Sequence, residues 1–166
     1  QEGLDDTDSP PATLWLVVIG GVLIVFAAWW LYFARENAEV LVGNDVGFVW
    51  GFGHLLVFGT AAAIGAGLAA RVAYYDDHAE VSEIASAAFV TAPVAALLAA
   101  LWLVCIRLHD ASWRTIGPFA AAIMGCLAVT FVPWSELWVG LIVTGLLVVE
   151  LVLTSEDRAG VVGAAD

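Results

Sequence analysis

The chain has 166 residues, of which 62% are hydrophobic and 13% charged, with eight tryptophans and a mean hydropathy of +0.94. Water-soluble folds average about half apolar and about a quarter charged residues, so these values exclude a soluble globular domain. Five arginines, no lysine and seventeen acids give a formal net charge of −12, which leaves no basic stripe for phosphates and argues against nucleic-acid binding and polybasic lipid anchoring.

The first twelve residues, QEGLDDTDSPPA, are acidic and Pro-containing, and they lack the positive n-region of a signal peptide. With Gln1 in front, the chain reads as a processed, truncated or excised piece, with a complete small protein as the alternative. Acidic segments without lysine also fit a halophilic source, because high salt screens carboxylate self-repulsion. The first apolar segment runs from Thr13 to Ala34, behind Ser9, Pro10 and Pro11, residues suited to a helix start. At helical rise it is about 33 Å long, enough to cross a hydrocarbon core. Phe48 to Ala70 and Ile84 to Ile106 are of spanning length as well. From Ile116 the apolar character continues to Leu153, broken at Pro133-Trp134-Ser135-Glu136 into Ile116 to Val132 and Leu137 to Leu153. Each half is about 25 Å long, at the lower edge of what spans. Residues 154–166 form a tail.

In hydrocarbon every backbone N–H and C=O must be paired internally, and runs such as VVIGGVLIVFAAWW lack the alternation of barrel strands. The predicted fold is therefore all-α: a polytopic transmembrane bundle of about five helices, with three helices plus a re-entrant pair as the alternative. Pro93, inside the third segment, predicts a packing kink. Arg35, Arg107, Arg114 and Arg158 fall on one side of this topology, and Arg71, read as a loop residue, on the other. The positive-inside rule then predicts a cytoplasmic C-terminus in a multi-pass plasma-membrane protein. Aromatic residues at the segment ends, among them Trp29, Trp30, Tyr32, Trp50, Tyr74, Tyr75 and Trp134, are read as anchors in the headgroup layer.

Two motifs carry a resemblance. Ala28-Trp29-Trp30-Leu31-Tyr32-Phe33 ends the first segment, and Trp50-Gly51-Phe52-Gly53-His54 opens the second and leads to Ala61-Ala62-Ala63-Ile64-Gly65-Ala66-Gly67-Leu68. In order and separation these resemble the C-terminal half of the bacterial low temperature requirement A (LtrA) membrane-protein family, over roughly Leu14 to Leu153. An acid-containing ELFFDLVFV-like motif marks that family's N-terminal half and is absent here. The resemblance thus implies that this chain is about half of such a protein, with the other half as its partner. The family name refers to a growth phenotype and implies no chemistry.

Ionisable residues inside a membrane helix are costly and are functional candidates by default. His54, six residues into the second segment, shares a helical face with Val57, Ala61 and Gly65, which turns it toward protein. It is read as a neutral imidazole bonded across a helix interface or as a titrating group. Glu150 lies near the end of the last segment, either snorkelling to the interface or pairing with His54 or Arg35. Cys105 and Cys126 are read as small buried hydrophobes, and no set of residues has metal-ligand spacing. No nucleophile with its base, phosphate loop or dinucleotide fingerprint is present. The expected protein is thus not an enzyme and needs no cofactor, and its surroundings are the lipid bilayer. A proton-linked transporter or channel using His54 and Glu150 is the alternative.

Overall fold

Apolar runs of this length satisfy their own backbone as helices. The computed structural model describes residues 12–34, 44–76, 80–107 and 111–163, and the regular structure among them is entirely helical. Helix α1 spans Ala12–Phe33, α2 Asn44–Tyr75, α3 Glu83–Leu101, α4 Trp113–Ala128 and α5 Ser135–Gly163. A π-helical turn, Trp102–Ile106, prolongs α3, and a 3-10 turn, Val129–Phe131, closes α4. Among the described residues, 5 helices are long and apolar enough to cross a membrane. The last two contribute Trp113–Phe131 and Ser135–Glu156, of 19 and 22 residues, so each has the length of a full span and the re-entrant pair is set aside.

Side chains N-terminal to α3 and α4 help to define where those helices begin. The Ser82 hydroxyl accepts from the Ala85 N–H at 3.2 Å, and Ser112 from the Arg114 N–H at 3.3 Å, each satisfying one of the donors a helix start leaves open. Between the 3-10 turn and α5 the chain reverses at Trp134, whose φ of 59° lies in the left-handed region. α3 is continuous through Pro93, and a π-helical turn follows its end.

α3 is the central helix. Its spanning window is 61% buried against 22% for α2, and Val90, Val94, Leu98 and Leu101 are almost fully enclosed. α2 packs along α3, α1 along α5, and α4 bridges α3 and α5, whereas the consecutive helices α1 and α2 touch at few points. Two glycines set the close pairs. A Cβ on Gly20 would lie 2.5 Å from the backbone of Glu136, and one on Gly67 would collide with the carbonyl of Phe89, so main chains meet directly. Outward, Val18, Val22, Phe26, Leu55, Phe58 and Val152 are exposed, the apolar surface that a lipid solvent requires.

Candidate functional site

The alternating helices define two faces: one carries the starts of α1, α3 and α5, the opposite one their ends. Buried polar side chains gather near each face. On α2 the two groups, His54 and Arg71, are seventeen residues apart, about 26 Å at helical rise.

His54 is buried, 7% exposed. Its Nδ1 lies 2.7 Å from the carbonyl oxygen of Trp50, one turn earlier, and its Nε2 lies 3.0 Å from the Tyr32 hydroxyl on α1. A carbonyl only accepts, so Nδ1 carries the proton, and in the neutral ring Nε2 accepts from Tyr32. The Trp50 ring lies 4.1 Å from the imidazole, centroid to centroid, with Tyr32 at 5.7 Å and Phe58 at 5.9 Å. A Cβ on Gly53 would press against Val104 in the π-helical turn, which places that turn beside the histidine. Beneath Tyr32, between α1, α2 and α3, lies a cavity of about 470 Å³.

The small-residue face expected around His54 is different in detail. Val57 is buried with it, but Ala61 and Gly65 are exposed, and Ile64, Gly67 and Arg71 continue the inward face. Glu150 on α5 is 0% exposed, so it does not snorkel, and both ring nitrogens of His54 are taken up by Tyr32 and Trp50. Arg35, the third predicted site residue, lies outside the described residues, as do His78 and His109. Cys105 and Cys126 are buried free thiols. Among the described residues no group of three or more His, Cys, Asp and Glu side chains is placed to hold a metal ion.

The second cluster was not anticipated. α2 extends to Tyr75 and α5 starts at Ser135, so Arg71 and Glu136, expected in a loop and a turn, are both helical. Arg71 is 0% exposed and Glu136 1%. The Arg71 Nε donates to Glu136 Oε1, its Nη1 to the Ser86 hydroxyl at 3.1 Å and the Glu83 carbonyl at 3.3 Å, and its Nη2 to the Tyr75 hydroxyl at 2.9 Å. The guanidinium also sits over the Tyr75 ring, 4.7 Å from its centroid. One side chain thereby ties α2 to α3 and α5. Its planar fork suits such branching, and the pair neutralises two charges that are costly when buried singly. A readable signal was present: Val72-Ala73-Tyr74-Tyr75 continues the helical run past Arg71, and Ser135-Glu136 before Leu137 and Trp138 has the look of a helix start.

No curated protein and no solved structure matches the chain. The family model of the bacterial low temperature requirement A protein (LtrA) matches residues 1–153. That match covers nearly the whole bundle, including both polar clusters, and the chain belongs to the LtrA family as an integral membrane protein.

Proposed function

We propose that the chain is a non-enzymatic membrane module that works by packing against further membrane helices, its expected partner being the acid-containing half of the same family, in the plasma membrane with a cytoplasmic C-terminus. The observation that carries this reading is the outer face of α2. Gly51, Leu55, Gly59 and Ala62 line the side of α2 turned away from α3 and are all exposed, and a Cβ on Gly51 or Gly59 would meet nothing within 4 Å. Small residues let helix backbones approach closely in lipid, as Gly20 and Gly67 do inside the bundle. The buried polar side chains described above support the same reading, since their bonds join helices. The orientation is supported by Arg107 and Arg114, exposed at the face where α1, α3 and α5 end, while Arg71 is enclosed in its ion pair.

Co-expression with the segment bearing the ELFFDLVFV-like motif tests the proposal. The two pieces are expected to co-purify and to melt at a higher temperature together, and Gly59→Leu or Ala62→Leu to weaken the association. Equal thermal stability of the chain alone and in co-expression, with no co-purification, refutes it. The burial of His54 and Glu150 within the bundle favours a second reading, proton-linked transport. Proton-coupled flux in vesicles that His54→Gln and Glu150→Gln both abolish would establish it over the first.

A further inference from the structure

The cavity between α1, α2 and α3 has a direction. Its inner end is walled by Ile24 and Ile64, its sides by Ala28, Val57 and Leu97, and its outer end by Tyr32. From Ile24 to Tyr32 is eight residues of helix, about 12 Å, and Tyr32 stands next to the last residue of α1. The cavity therefore runs from the depth of the headgroup boundary toward the middle of the membrane, with a polar atom at its outer end. Apart from the indole of Trp29, Tyr32 is the polar side chain of this lining among the described residues. Exposed Val25, Trp29, Phe33 and Phe58 border the cavity, and the sparse contact between α1 and α2 leaves it open sideways to hydrocarbon.

The hydrogen bonds at that end decide what fits. Nδ1 of His54 is held by the Trp50 carbonyl, so in the neutral ring Nε2 accepts the Tyr32 O–H and the phenolic oxygen presents lone pairs. At that oxygen a guest must bring a donor. Among the described residues no cationic side chain lines the cavity, so this lining offers an anionic headgroup no compensation for its desolvation. The space itself lies within the range of small-molecule sites, about 300–1,000 Å³.

We infer that this cavity is a lateral binding site for a neutral, single-chain lipid of the surrounding membrane that ends in a hydroxyl group, its O–H donating to Tyr32 and its chain lying against Ala28, Val57 and Ile64. The inference is independent of the helix-packing role, since the cavity lies on a different side of α2 from Gly59 and Ala62.

The test uses the intact chain in lipid nanodiscs with a diazirine-bearing dodecanol, and the labelled residues are mapped by mass spectrometry. Labelling is expected on residues 24–32 and 57–64, to saturate, and to be displaced by dodecanol at a concentration at least tenfold below that needed with dodecane. Ala61→Phe, which fills the space from an exposed position, is expected to remove the saturable part without lowering the melting temperature. Tyr32→Phe is expected to bring dodecanol down to the level of dodecane. Labelling that rises linearly with probe, as bulk lipid would give, overturns the inference. So does equal displacement by dodecanol and dodecane in the unmodified chain, or saturable labelling that survives Ala61→Phe.

Discussion

Arg71 and Glu136 show how much one contact can decide in a small membrane bundle. Each is enclosed, so removing either leaves a buried charge without its counter-ion, which costs about 3–5 kcal/mol. Arg71→Met and Glu136→Leu are each expected to lower the melting temperature in detergent sharply. The double variant Arg71→Met/Glu136→Leu should recover most of the loss, because an apolar pair of similar volume avoids the desolvation altogether. Strict additivity of the two single losses would remove the pairing from the account. His54 is a milder case. Its partners are a phenol and a backbone carbonyl, and hydrogen bonds between membrane helices average about 0.6 kcal/mol, so Tyr32→Phe and His54→Gln are expected to shift thermal stability only slightly. A loss as large as that of Arg71→Met would mean that the imidazole carries charge.

At the scale of the helices, what glycine contributes depends on what faces it. Gly67 touches the main chain of α3 and Gly65 touches nothing, although the two lie in one apolar run. Gly67→Ala is therefore expected to force α2 from α3 and cost several degrees of melting temperature. Gly65→Ala should be neutral or slightly stabilising, since alanine is the better helix former by about 1 kcal/mol. Identical melting of the two variants would contradict the packing described. This distinction was not legible in the sequence, because both positions sit in the same pattern of small residues and the facing helix decides between them. The five spans were legible, since length and apolarity alone define them. His54 was legible too, as the polar residue of an apolar run. Arg71 and Glu136 escaped because a charge beside the end of a span reads as a loop residue until its counter-charge, on another helix, is seen.

Over the whole molecule the arginine asymmetry supports the proposed orientation, which a single label can test. In a background lacking Cys105 and Cys126, Ser155→Cys on the exposed side of α5 is expected to react with an impermeant thiol reagent only after the cytoplasmic face is opened. Labelling in intact cells would reverse the topology. The ion pair that joins α2 to α5 also has a history within each molecule's synthesis. Its partners lie 65 residues apart, and at elongation rates of about 5–20 residues per second the ribosome adds Glu136 roughly 3–13 seconds after Arg71. During that interval the nascent α2 holds an arginine without the Glu136 carboxylate, and Gly20, made earlier still, waits longer for the helix that it will touch. Chains stalled before Ser135 should accordingly stay within reach of membrane quality control. A protease-protection series on stalled chains is expected to show Arg71 moving from an accessible to a shielded position as α5 emerges.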